Sequence, residues 1–224
     1  MSRIIHLLLV LGVPVLLTAV NVRGLATQPY LGAAFARRGF PSAAGMTDAE
    51  RLALATISTR FIVSSAEPDT LLSLRQAGRT LYTVEEVGHL LDVRRVVGSL
   101  TGLAVAAAVV TALGAASWYL GGDVARLGLG LQRGGWLTLA IVGLLGAGIV
   151  IAWPVMFTLF HELLFPPGTW QFPVDSGLIR LFPERFWSDA AAAWLGLTIA
   201  ECVALIAAGR WLERHPRPCR QAVS

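Results

Sequence analysis

Apolar positions dominate four stretches of the chain, and polar positions gather between them. Ile4 to Val22, Val96 to Leu120, Gly134 to Phe160 and Ala190 to Gly209 carry no Asp, Glu or Arg apart from Glu201. A bilayer core of ~30 Å needs about 20 residues of helix, so each stretch is predicted to span. The first also resembles a signal-peptide core, but its apolar run exceeds the usual ~7–15 residues and no A-x-A site precedes Arg23. A retained span is therefore expected. Between the first two spans, Thr47-Asp48 with Glu50 ahead of a periodic stretch to Ile62 predicts a capped helix. Thr83 and Glu86 form a capping box that starts a helix at Val84, running without Pro into the second span. Gln28 to Met46, rich in Gly, Pro and Ala, reads as loop.

The fold class that follows is an all-α polytopic membrane protein, four transmembrane helices with an extracytoplasmic cap. The spans fall at 1–22, 96–120, 134–160 and 190–209, with the cap at 23–95 and a second outer loop at 161–189. A cytoplasmic loop at 121–133 and a tail at 210–224 complete the division. Orientation comes from arginine placement: Arg3, Arg126, Arg133, Arg210, Arg214, Arg217 and Arg220 fall on one side, against Arg180 and Arg185 in the short loop opposite. Positive residues in short loops mark the cytoplasmic face, which puts both termini inside.

Composition agrees with this picture. The chain is 55% hydrophobic, above the roughly 45–50% of soluble domains. All 18 basic residues are Arg, scattered between apolar runs rather than forming a basic, aromatic-interleaved surface, so no nucleic-acid partner is expected. Cys202 and Cys219 form no CxxC or metal-ligand spacing, which argues against a disulfide or a cysteine-held metal.

Candidate chemistry lies with two histidines that the topology puts at the outer ends of spans. His89 has Glu85 and Glu86 four and three residues before it and Asp92 three after, all helical neighbours. A carboxylate beside an imidazole stabilises the imidazolium that a general base becomes, so His89 is expected to be the base and His161 the acid. Glu162, folding back on His161, would reverse the roles. An acidic interfacial helix whose histidine is merely satisfied explains the same spacing. The His161-Glu162 pair is half of an H-E-x-x-H zinc motif, but Phe165 stands where the second His is required, so no metal is expected. Phe160, Phe165, Trp170, Phe172, Phe182, Phe186 and Trp187 suit an interfacial aromatic belt, a wall for a lipid-shaped pocket, or both. No Ser-x-x-Lys, G-x-S-x-G or Cys/His pairing supplies a nucleophile.

Taken together, Tyr82-Thr83, Glu86, His89-Leu90 and Asp92-Val93 resemble the motif ahead of the second span in the lipoprotein intramolecular transacylases. Phe160-His161-Glu162 followed by Trp170 is similar to that family's second motif, and the four-span layout with a large first outer segment matches as well. The resemblance implies a bacterial plasma-membrane acyltransferase without a cofactor. Its substrate would be a diacylglyceryl-modified lipoprotein with a free N-terminal amine, whose sn-2 acyl chain moves to that amine and leaves the lyso-form. It implies His89 and His161 as the catalytic pair, with Asp92, Glu86 and Glu162 supporting. Tyr82, Phe160, Trp170, Phe172 and Trp187 are expected to line the substrate pocket. The enzyme is expected to act as a monomer among membrane lipids.

Two other classes stay open on the residues alone. A membrane metallohydrolase or protease would use His161, Glu162 and His89, with Asp92, as ligands and base, and chelators would inhibit it. A non-catalytic membrane binding or assembly protein would tolerate loss of either histidine. Glu201, alone in the fourth span, is expected to face the bundle interior, hydrogen-bonded to a neighbouring span, because a charge facing lipid costs at least ~2.5 kcal/mol.

Overall fold

The computed structural model describes residues 2–215, so Arg217, Cys219 and Arg220 lie outside the described residues. It consists of nine helices and one short hairpin among those residues: α1 Ser2–Leu25, α2 Gln28–Phe35, α3 Asp48–Ile62, α4 Asp69–Leu72, β1 Arg75–Gln76, β2 Arg79–Thr80, α5 Val84–Leu120, α6 Val124–Ile151, α7 Trp153–Leu164, α8 Gly177–Leu181 and α9 Glu184–Arg214. Four helices are long and apolar enough to cross a membrane: Arg3–Leu25, Val84–Leu120, Val124–Ile151 and Glu184–Arg214. The protein is a multi-pass membrane protein of four such helices. The chain divides into two compact units, one holding the chain up to Asn21, Leu100–Ala147 and the chain from Leu195, the other Val22–Ser99 and Gly148–Trp194.

The first unit is made of the apolar helices. Its buried core is small, centred on Leu9, Val13 and Trp118, while Leu103, Leu113, Leu144 and Val203 stay exposed on its surface. Such faces need an apolar solvent. Small residues let the helices approach closely: a Cβ on Gly128 or on Gly209 would lie 2.5 Å from the other residue's carbonyl oxygen, so α6 and α9 meet backbone to backbone. Glu201 finds the partner the sequence demands. Asn21 Nδ2 donates to Glu201 Oε2 at 2.8 Å and to Thr198 Oγ1 at 3.0 Å, tying α1 to α9.

The second unit has the core of a soluble domain, with Leu31, Ala55, Phe61, Leu71 and Leu181 all at 1% exposure or less. Arg51 is buried among them, and its guanidinium is satisfied rather than orphaned. Nε and Nη2 donate to the Leu181 carbonyl at 3.3 and 3.1 Å and Nη1 to that of Pro41 at 2.6 Å. The rings of Phe35 and Phe40 flank the cation at 4.7 and 4.8 Å. The capped helix expected at Asp48 is α3, with both halves of the Thr47–Glu50 capping box formed.

Three details depart from the sequence reading. Gln28 to Phe35 is helix, not loop. Pro29 sits in its first turn, where a missing N–H costs nothing, and Leu31 and Ala34 are buried against the core. The apolar run 134–160 is two helices, broken at Ala152 (φ −144°, ψ 52°). Pro154 explains the break, since it has no N–H for the Val150 carbonyl and its ring crowds that carbonyl, while in the first turn of a new helix the missing donor costs nothing. Residues 121–133 are mostly helical as well: only Gly121 to Asp123 separate α5 from α6, with Gly122 at φ +79°, and Arg126 and Arg133 ride on α6.

Candidate active site

The site is built at the start of α5 and along α7, both within the second unit. Thr83 Oγ1 accepts from the Glu86 amide at 3.3 Å, and Glu86 Oε2 accepts from the Thr83 amide at 2.8 Å. The other oxygen of Glu86 accepts from the Leu178 amide at 2.7 Å, so this carboxylate, 1% exposed, ties the beginning of α5 to α8. Gly177 makes the approach possible, because a Cβ there would stand 2.0 Å from the Leu81 carbonyl oxygen. His89 follows Glu86 by one helical turn and is 7% exposed, with a buried Nδ1 that has no hydrogen-bond partner.

His161 lies near the end of α7. Its Nδ1 is 2.7 Å from the Phe157 carbonyl oxygen, one turn back. A carbonyl only accepts, so Nδ1 carries the proton and the neutral ring keeps its lone pair on Nε2. Burial lowers the His161 pKa below the usual 6.5, with the Phe157 hydrogen bond pulling the other way. The ring is therefore neutral at physiological pH, as a base must be.

The two imidazoles stack, centroids 6.3 Å apart and planes 23° from parallel. Aromatic rings surround them. Phe157, Trp170, Phe160 and Phe165 lie 4.1, 4.8, 5.3 and 5.5 Å from His161, and Phe165 and Phe172 lie 4.9 and 5.6 Å from His89. This apolar cage strengthens any electrostatic interaction inside it and suits an acyl chain.

Of the residues singled out from sequence, Phe160, Trp170 and Phe172 stand against the histidines. Tyr82 is buried one step away, its hydroxyl 2.7 Å from Ser58 Oγ, where burial holds its pKa far above the usual value. Trp187 packs instead on Phe182 and Phe186 and donates to the Phe182 carbonyl, outside the cage. The carboxylates are committed elsewhere: Glu86 to backbone amides, Asp92 to an ion pair with Arg95, while Glu162 is exposed. None hydrogen-bonds to either imidazole among the described residues, so the support that Asp92 gives His89 acts through space and not by a direct bond. No group of three or more His, Cys, Asp or Glu among those residues is placed to hold a metal ion.

A family model for the lipoprotein intramolecular transacylase Lit matches residues 4–187. The chain belongs to that family. Its membership makes it an acyltransferase acting on lipoproteins in the membrane, in accord with the motif resemblance. The membrane-integral Lit of Bacillus cereus, whose solved structure covers 96% of both chains, is similar at a TM-score of 0.82 and 20% identity. A variant of it with one histidine replaced by alanine is similar at 0.76. An uncharacterized protein of Aquifex aeolicus is 26% identical over 84% of this chain and 85% of its own.

Two features of this family member escaped the sequence reading. The Phe157 carbonyl that fixes the His161 tautomer is a backbone atom, and only its spacing of four residues before His161 on an apolar helix hints at it. Nothing local to Gly177 in the sequence shows that the Leu81 carbonyl presses on it.

Proposed function

We propose that this lipoprotein intramolecular transacylase moves the sn-2 acyl chain of a diacylglyceryl-cysteine lipoprotein onto that lipoprotein's own N-terminal amine. The observation that carries the reading is the stacked His89–His161 pair inside an aromatic cage, with one imidazole's tautomer set by the Phe157 carbonyl. Donor ester and attacking amine both belong to the substrate, so the protein needs no nucleophile. Holding the two together supplies several kcal/mol, of order ~7–11 for well-oriented partners.

In the proposed sequence the free amine attacks the ester carbonyl, forming the C–N bond and a tetrahedral centre. Nε2 of His161 takes a proton from the nitrogen. His89, whose tautomer no partner in the protein locks, relays that proton to the glyceryl oxygen as the C–O bond breaks. The products are an N-acyl lipoprotein and a free sn-2 hydroxyl on its glycerol, and both imidazoles end neutral as they began. Aromatic side chains of the cage hold the acyl chain and exclude water, which would otherwise divert the ester to hydrolysis.

The reaction belongs on the extracytoplasmic face, with both termini cytoplasmic, as the arginine distribution supports. Cysteines placed at Ser65 and Gln171 should label from outside intact cells; labelling only after permeabilisation refutes that orientation. The chemical test is mass spectrometry of a purified diacylated lipoprotein after incubation with wild type, His89→Ala, His161→Ala and wild type plus EDTA. Lyso-form product with wild type, with and without EDTA, and none with either variant is expected. Full activity in either variant ends the two-histidine mechanism, and loss with EDTA favours the metallohydrolase class instead.

A further inference from the structure

Beside the histidine cage lies a cavity of about 720 Å³, whose lining includes Gln76, Arg79 and Thr80 on one side and Phe172, Asp175 and Arg180 on another. Its volume falls in the range of about 300–1,000 Å³ typical of ligand sites. Phe172 is shared: the same ring that lines this cavity stands 5.6 Å from His89. The cavity and the cage are therefore adjacent compartments with one wall in common. Their chemistry differs. The cage is aromatic, whereas the cavity adds Gln76, Arg79, Thr80, Asp175 and Arg180 to apolar walls that include Leu81 and Phe172, so polar backbone groups find partners in it that the cage does not offer.

Resting on the transacylase reading, we propose that this cavity binds the polypeptide that follows the acylated cysteine. The cysteine must reach the imidazoles, and its carboxyl side continues as a chain of polar peptide groups that need partners outside the cage. The β1–β2 hairpin supplies Gln76, Arg79 and Thr80 to the lining, so an extended peptide running beside it would meet those side chains. At about 3.3 Å per extended residue, two to four residues past the cysteine fit along such a wall. Arg180 is already engaged, donating to the Ala44 carbonyl at 2.6 Å and to Gln76 Oε1 at 3.0 Å. Both of those partners are neutral, so Arg180 keeps its charge; Arg79 is exposed in the same lining, Asp175 is the exposed carboxylate there and Glu86 is buried on backbone amides, which leaves two cations to one accessible carboxylate. The cavity therefore selects peptides with an acidic residue shortly after the cysteine over peptides with a basic one.

The test compares turnover of three synthetic diacylglyceryl lipopeptides: cysteine amide alone, cysteine followed by a four-residue segment containing Asp, and the same segment containing Lys. With wild type, kcat/KM for the Asp peptide should exceed that of the cysteine amide by about tenfold, as expected for a few added backbone hydrogen bonds. It should exceed that of the Lys peptide by about three- to fivefold, the size of an exposed charge pair. Arg79→Glu should invert the Asp/Lys preference, and Thr80→Trp, which fills the cavity, should bring the peptide/amide ratio toward one. Each ratio is taken within one enzyme preparation, so partial loss of folded protein cancels. Equal turnover of amide and peptides by wild type overturns the proposal while leaving the transacylase reading intact. An unchanged Asp/Lys ratio in Arg79→Glu overturns the charge selection, and no conversion of any lipopeptide by wild type sinks the transacylase reading itself.

Discussion

The two units of this protein solve opposite problems with the same backbone. The first unit buries little: its apolar cluster is centred on Leu9, Val13 and Trp118, and Leu113, Leu144 and Val203 remain 67%, 77% and 58% exposed. In a membrane these faces need no cover, since lipid tails are as apolar as leucine and helix association relies on close packing and a few polar contacts. The second unit buries Phe61, Leu71 and Leu181, caps α3 and α5 with paired side chains and satisfies a buried arginine with carbonyls. Its order comes from hydrophobic burial and from hydrogen bonds that water would otherwise contest. The candidate site sits in the unit with the dense core. The lesson is that the lipid-facing helices hold the protein in the bilayer, while the packed unit holds the two histidines in register.

The sharpest way to break that comparison is to remove the imidazoles. His89→Ala and His161→Ala should each lower turnover by about 10²–10⁴-fold without changing the folded fraction, because each removes one acid–base group. The double variant should cost little more than either single one, since groups acting as a unit are non-additive. Additive losses in a lyso-product assay mean the two rings act independently.

Next in size is the tie between α5 and α8. Glu86→Ala strips a buried charged acceptor from the Leu178 and Thr83 amides and should destabilise the second unit by about 2–4 kcal/mol. Hydrogen exchange at the Leu178 amide reads this directly. Asn21→Leu removes the corresponding polar tie in the first unit. There the expected cost is about 0.6 kcal/mol and at most about 1.7, because unfolded helices in a membrane find other partners. Equal costs for the two would erase the distinction between the units.

The pH profile sharpens the comparison further. Burial holds the His161 pKa under 6.5, so the ring loses its proton, and becomes a base, at lower pH than a free histidine. The substrate amine also has to be neutral and has a pKa of about 8. Log kcat/KM should therefore fall with slope one below pH 8 and steepen toward two only below pH 6.5. Steepening above 6.5 contradicts a base sheltered by the cage. The smallest effect is expected at Glu201→Gln, where the new amide oxygen still accepts from Asn21. Turnover within about twofold of wild type is expected for so small a change in a membrane hydrogen bond, and its abolition assigns Glu201 a part in proton movement.

Sequence alone carried the four apolar helices, the capped starts of α3 and α5 and the two histidines, because each depends on local rules. Bilayer thickness sets a span's length, a capping box is complete within four residues, and a catalytic residue type is visible by name. It also showed that Glu201 needed a partner, but not that Asn21, on α1, would provide it. The helix Gln28–Phe35 was hidden by its Gly and Ala content, and the break at Ala152 by an apolar run that continues through Pro154. Tertiary structure alone decided which side chains meet. The carboxylates at helical spacing from His89 turned to backbone amides and to Arg95, since a buried carboxylate goes to the strongest donors within reach. Phe172 and Trp170 reached the imidazoles and Trp187 did not, because ring contacts follow from how α5, α7 and the 165–176 segment pack. Spacing along a chain specifies neighbours only within one helix; between helices, contact is set by packing of the whole unit, which no local pattern encodes.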